Sequence, residues 1–453
     1  MASKFVLKLL RSGLAKSFLP SLDEFDVIGE PVFTRPSFLN TINELKVSYS
    51  KREEGVLLTY PIGVSCDFQG DLLYAVMSDG VAYSLGGTYG YWGLGDGTLD
   101  YADTFEDARV VSYSGKIVAI DTWLPPIALN DAGQLLWWGD HGYYNYGTNS
   151  VGYKAYGAYP DLLPYSALVP ENGVLGIAFS SISIGYYCGC GIDTVGDLWT
   201  WGYGGLGALG RGMGSSSLRY PVPGKVTHPE GRTWAYCQTG NMGMCAIDDL
   251  GQLWTWGDNS TGMLGIGLDP SIEDWRDTPQ KVGTDTDWIK CIVSEVTTMA
   301  MKSNGEIWGW GTNFDCILGH PQSEYLTCGC DDYHMPHQCE HWSPYKMADS
   351  SDGFVDFSFG YYHTIALKSD GTAWGIGYDY NMGLGLGDDT DYVCTWTQLT
   401  GGEQTQFTYI HCTYGCSMAI GVDNNVYLWG TFYGLDEWYY PYPTRWQLPN
   451  QEE

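Results

Sequence analysis

The sequence predicts an all-β fold, a seven-bladed β-propeller, on three observations: a composition of strand and turn residues, a glycine pair that recurs, and a near-constant spacing between its copies. Among 453 residues there are only 22 Lys plus Arg, against 61 Gly, 35 Tyr and 19 Trp. Aromatic residues favour strands and glycine favours the tight turns between them.

The glycine pair carries the period. A Gly, five residues and a second Gly occur at Gly80/Gly86, Gly133/Gly139, Gly196/Gly202, Gly251/Gly257, Gly305/Gly311 and Gly371/Gly377, and Asn424/Gly430 makes a seventh copy. Successive second glycines lie 53, 63, 55, 54, 66 and 53 residues apart, so the unit is one four-stranded blade, with two insertions.

Each unit reads as a hairpin. In Thr364-Ile365-Ala366-Leu367, Ser369-Asp370-Gly371 and Trp374 to Gly377, an apolar strand meets a turn and a second strand. Asp-Gly supplies the positive φ that such a turn needs, and Asp79-Gly80 and Asn304-Gly305 repeat it. The second strands carry Trp199 and Trp201, Trp254 and Trp256, and Trp308 and Trp310; residues two apart share a strand face. A large ring at one repeat position is what packing between blades requires, so these tryptophans are assigned to packing and not to a chromophore. Glycine-rich segments such as Asp258 to Gly265 are rim loops. Propellers are usually sealed by strands from both chain ends in one blade, which predicts that Tyr440 to Trp446 lies beside Tyr60 to Val64.

His363-Thr364-Ile365-Ala366-Leu367, Asp370-Gly371, a Trp strand closed by Gly and a Leu-Gly turn together resemble the regulator of chromosome condensation repeat, over roughly residues 56 to 448. The copies diverge: at the place of His363-Thr364 stand Thr297-Thr298, Met244-Cys245, Gly189-Cys190, Pro126-Ile127, Tyr74-Ala75 and Ser417-Met418. The Gly-Trp-Arg-His-Thr element of the family's ultraviolet-sensing members is absent, which argues against a photoreceptor. For some members the resemblance implies nucleotide exchange on a small GTPase. Bacterial β-lactamase inhibitors share the architecture, which makes an enzyme-inhibiting propeller a further alternative.

Charge narrows the partners. A formal net charge of −31 repels phosphate backbones, so nucleic acid is excluded. The 13 cysteines form no compact even framework and read as mostly reduced thiols. No apolar run reaches the roughly 18 residues of a membrane span, which predicts a soluble chain.

Residues 1–55 match no repeat and read as an arm; residues 56–453 are the expected propeller, with insertions near 143–170 and 320–345. Met1 to Phe18 holds Lys4, Lys8, Arg11 and Lys16 with no acid, and its apolar run from Phe5 to Leu10 is too short and too charged for a secretory leader. An arm with Pro20, Pro31 and Pro36 and little core of its own is expected to be retained and held by something larger. The favoured role is therefore a non-enzymatic structural or binding protein of a large assembly, a phage or virus particle, anchored to other subunits through residues 1–55 and displaying the propeller loops to a protein or receptor. The expected location is the virion, or otherwise the cytoplasm.

No Gly-x-Ser-x-Gly elbow, phosphate loop or His-Glu-x-x-His element is present, so no catalytic residues are assigned. Two sites are. The longest repeat gathers Cys328, Cys330, His334, His337, Cys339 and His341 within a short loop, a ligand set suited to one tetrahedral structural zinc. The insertion after Gly139 gathers Tyr143, Tyr144, Tyr146, Tyr153, Tyr156 and Tyr159, a residue type enriched on recognition surfaces, as a candidate protein-binding surface.

Overall fold

A computed structural model describes residues 52–53, 56–57, 59–67, 70–86, 94–96, 102, 104, 107–122, 126–139, 157–162, 176–272, 274–313, 316–319, 340–387, 392–446 and 448. They form seven antiparallel four-stranded sheets, the blades, each built from consecutive strands paired in sequence order. Blade 1 comprises Pro61–Cys66, Leu72–Met77, Ala82–Gly86 and Arg109–Val110. Blade 2 comprises Ile117–Asp121, Ile127–Asn130, Leu135–Gly139 and Gly157–Leu162. Blade 3 runs from Phe179 to Lys225, blade 4 from Trp234 to Lys281, blade 5 from Trp288 to Ala348, blade 6 from Phe354 to Gln398 and blade 7 from Phe407 to Trp446. Apart from the blades, Arg52–Glu53 pairs only with Val56–Leu57.

Two backbone demands explain the recurring glycine pair. The first glycine turns the hairpin between the second and third strands at positive φ, +79° at Gly251 and +85° at Gly371, and Asn424 takes the same conformation at +62° in blade 7. The second glycine, next to last in the third strand at Gly257 and Gly377, stands where the register to the fourth strand shifts. It also lies against the carbonyl preceding the second strand: a Cβ at Gly257 would stand 2.2 Å from the Met242 oxygen, and one at Gly377 would stand 2.4 Å from that of Tyr362. Only glycine tolerates both the bulge and the approach.

The tryptophans pack as the sequence predicts. Trp138, Trp201, Trp256, Trp310 and Trp429 are wholly buried. The Trp256 indole donates to the Ala208 carbonyl of blade 3 at 3.0 Å, and that of Trp429 donates to the Gly383 carbonyl of blade 6 at 2.9 Å. These two rings bury their area against the preceding blade's rim loop and satisfy their single donor there, whereas the Trp138 indole donates to the Tyr74 hydroxyl at 3.1 Å and that of Trp201 is buried without a partner among the described residues.

Ring closure corrects the expectation of a mixed blade. Tyr439–Trp446 pairs with Val426–Thr431 inside blade 7, and Pro61–Cys66 pairs inside blade 1. Among the described residues no strand crosses the seam. It is held by packing and by local contacts, among them the Gly434 amide donating to the Gly70 carbonyl at 3.3 Å. Each repeat codes all four of its own strands, so the chain ends owe nothing to one another.

Among ten described cysteines, Cys316 and Cys394 form a disulfide between the rim loop of blade 5 and the fourth strand of blade 6. The other eight are buried free thiols. No described helix is long and apolar enough to cross a membrane.

Candidate functional site

The loops from first to second strand leave every blade at the same end and so share one face of the ring. Their sequences repeat a pattern: Gly185-Tyr186-Tyr187 in blade 3, Gly240-Asn241-Met242 in blade 4, Ser294-Glu295-Val296 in blade 5, Gly360-Tyr361-Tyr362 in blade 6 and Thr413-Tyr414-Gly415 in blade 7. Glycine opens three of them because neighbouring loops touch. A Cβ on Gly360 would stand 1.8 Å from the Thr413 carbonyl oxygen, and one on Gly185 1.9 Å from that of Gly240.

Close packing of the loops links polar and aromatic groups across four blades. Asn241 Nδ2 donates to Glu295 Oε1 at 3.0 Å, and Glu295 also accepts a hydrogen bond from Tyr361. Burial pushes the Glu295 carboxyl up from its ordinary value despite both donors. Tyr361 tilts against Tyr414 at 5.1 Å between centroids, and the hydroxyls of Tyr362 and Tyr414 are 2.7 Å apart. Tyr362 meets Tyr378 edge-on, and Tyr378 stacks on Tyr392 at 4.7 Å. On blade 3, Tyr186, Tyr187 and Tyr203 form a second cluster. Seven of these rings are partly buried and the eighth, Tyr392, is exposed. Such a collar offers large apolar area with hydrogen-bonding rims and little side-chain entropy to lose, the combination that recognises protein surfaces.

Inside the collar the first strands line the axis with polar groups. Asp121 of blade 2 accepts the amides of Ile184 and Thr122 at 2.8 and 2.9 Å, and burial pushes its carboxyl up to about 6. Lys290 of blade 5 pairs with Asp356 of blade 6 at 2.6 Å. Burial also lowers the His411 imidazole to about 4, leaving it neutral near pH 7.

One pair has the look of nucleophile and base: His363 Nε2 and Ser417 Oγ are 2.7 Å apart. Neither has any exposed surface, and burial takes the imidazole down to about 3. A base that weak, closed to substrate, is a structural hydrogen bond.

Of the residues chosen from sequence, Tyr143, Tyr144, Tyr146, Tyr153 and Tyr156 lie outside the described residues, and Tyr159 lies in the strand Gly157–Leu162. Cys328, Cys330, His334, His337 and Cys339 also lie outside them. His341 belongs to the fourth strand of blade 5, Glu340–Ala348, and stacks on Tyr345 at 5.0 Å. Among the described residues no group of three potential ligands is assembled. The collar itself was missed. Its signal was present in the tyrosines that recur just before the second strand of blades 3, 6 and 7.

A closed ring of repeats with one aromatic face defines the class: a propeller scaffold. Family models described as the regulator of chromosome condensation (RCC1) repeat match residues 195–247 and 354–381. The chain is a seven-bladed propeller in which these two stretches match that repeat. It is 25% identical over 373 residues to the ultraviolet-B receptor of Arabidopsis thaliana, covering 79% of this chain and 76% of the receptor. It is 28% identical over 200 residues to the mouse E3 ubiquitin-protein ligase HERC2, but spans 4% of that protein. Among solved structures, Prp20p of Saccharomyces cerevisiae, reported together with its binding to Gsp1p and histones, superposes with a TM-score of 0.62 at 17% identity, covering 79% of this chain and 82% of Prp20p. Where Gly-Trp-Arg precedes His-Thr in the ultraviolet-sensing pattern, this chain has Gly360-Tyr361-Tyr362.

Proposed function

We propose that this propeller is a protein-binding module that engages its partner through the tyrosine collar, with residues 1–55 anchoring it to a larger assembly. The observation that carries the reading is the continuous link from Asn241 through Glu295, Tyr361 and Tyr414, which fixes the rings of separate blades as one rigid surface. Preorganised rings lose little freedom on binding. The acidic disk and the basic, acid-free start divide the chain into a displayed part and an attaching part, which suits a subunit of a phage or virus particle. Such a chain would reside in the virion.

A second reading, a small GTPase as the partner in nucleotide exchange, draws on the likeness to Prp20p. One experiment separates them. The tagged full chain is recovered from its source with its partners, beside a Tyr186→Ser, Tyr361→Ser, Tyr414→Ser variant. Particle proteins that stay with the variant but are lost on removal of residues 1–55 support the assembly reading. A nucleotide-free GTPase captured only by the unmodified collar supports exchange. Equal recovery of every collar-bound protein by the variant would sink the collar as the binding face.

A further inference from the structure

Among the described residues blades 7 and 1 share no sheet at their seam, unlike a strand-sealed propeller, and two thiols meet there. Cys66 ends the first strand of blade 1, and Cys416 begins the second strand of blade 7. Their sulfurs are 3.5 Å apart across 350 residues of sequence. Thr413 Oγ1 lies 3.4 Å from Cys66 Sγ and 2.9 Å from Cys416 Sγ, so one hydroxyl serves both. Neither cysteine has exposed surface.

Other thiols also meet between blades. Cys190 of blade 3 contacts Cys237 of blade 4, and Cys245 of blade 4 contacts Cys291 of blade 5. Those blades are neighbours in sequence, so a bond there would close short loops. The seam alone joins the two ends of the ring, where a cross-link removes the most freedom from the unfolded chain. The described residues also include a cystine between blades, Cys316–Cys394.

We propose that Cys66 and Cys416 are an oxidative modification site, a clasp that forms a disulfide across the seam and locks the ring shut. The oxidant is a low-molecular-weight disulfide. The Cys66 thiolate attacks one of its sulfurs, forming a mixed disulfide and releasing one small thiolate. The Cys416 thiolate then attacks the Cys66 sulfur, forms the protein disulfide and expels the second small thiolate. Two thiol protons leave with the products, the protein is oxidised by two electrons and the small disulfide is reduced to two thiols. In the closed ring, burial raises the Cys66 thiol well above its ordinary value, so attack requires the seam to open. The clasp thus reacts when blades 1 and 7 separate and traps them when they return. The Thr413 hydroxyl is placed to donate to whichever sulfur is ionised.

The test uses the full chain, purified reduced and incubated with oxidised glutathione at urea concentrations below its unfolding transition. Free thiols are then alkylated and the chain is digested without reductant. The expected product is a peptide joining Cys66 to Cys416, formed faster as urea opens the seam, with a thermal midpoint raised by about 5 °C or more over the reduced chain. Cys416→Ser, which keeps Cys316–Cys394, should lose both the peptide and the seam's share of that rise. If this variant fails to fold, Cys66→Ala takes its place, and the peptide map of the unmodified chain remains decisive. Separate glutathione adducts on the two cysteines, predominance of the Cys190–Cys237 or Cys245–Cys291 link, or a seam link that leaves the midpoint unmoved would each overturn the clasp.

Discussion

The Trp310 indole donates to the Met263 carbonyl at 2.8 Å and so ties blade 5 to the rim loop of blade 4. Gly265 turns that loop at φ +66°, and a Cβ there would stand 2.5 Å from Trp310 Nε1. Trp310→Phe keeps most of the ring, and the Met263 carbonyl keeps the Thr298 hydroxyl as a donor at 2.7 Å, so the expected cost is about 0.5–1.5 kcal/mol. Trp310→Ala, which also leaves a cavity, should cost about 3–5 kcal/mol. Gly265→Val combines strain with overlap and should resemble the alanine variant. Urea unfolding checks the order, and Trp310→Phe costing as much as Trp310→Ala would refute the hydrogen bond's separate share.

His363 makes stability depend on pH. In the fold burial holds its imidazole at about 3, against 6.5 in the unfolded chain, so it stays neutral beside Ser417. Its contribution is fully present above pH 6.5 and is lost as pH falls towards 3, because the unfolded chain takes up the proton first. By pH 4 the loss is about 3 kcal/mol. Asp121 works the other way: with its carboxyl raised to about 6, its share is present below about 3.8 and lost as pH rises through 6. Urea midpoints of His363→Gln should fall less steeply between pH 6.5 and 4 than those of the unmodified chain, and parallel slopes would contradict the assignment.

Removal of residues 1–55 should leave the propeller intact. The first blade begins at Pro61, and Arg52–Glu53 pairs with no blade. The truncated chain is expected to keep its β-sheet circular dichroism and its unfolding midpoint within about 1 kcal/mol of stability while no longer joining its assembly. Loss of the sheet signal would mean that the arm completes a blade, and unchanged incorporation would take the arm out of the attachment.

The insertion after Gly319 should bind one structural zinc through four of Cys328, Cys330, His334, His337, Cys339 and His341, the last of which stands in the fourth strand of blade 5. Cys316, just before it, is already bonded to Cys394 and supplies no thiolate. Metal analysis of protein prepared without chelator should find about one equivalent, and stripping it should expose the three thiols without unfolding the blades, which have cores of their own. Less than about a tenth of an equivalent, with all three thiols freely reactive, would return the loop to an ordinary solvated one.

The sequence by itself determined the blades. Positive φ at Gly251 and the approach of Gly257 to the Met242 carbonyl are demands within one repeat, so they are written at fixed spacing and can be read by period. The same holds for Trp256 and Trp310, which fill equivalent interfaces. Only the tertiary structure decided what lies between repeats. The collar needs Asn241, Glu295, Tyr361 and Tyr414 from four blades, and a one-dimensional spacing does not reveal which loop ends share a face or touch. The seam needs Cys66 and Cys416, 350 residues apart, and its lack of a shared strand follows from the fourth strand of blade 7 pairing within its own repeat. Local backbone chemistry repeats along the chain, whereas contacts between distant side chains exist only once the ring has closed.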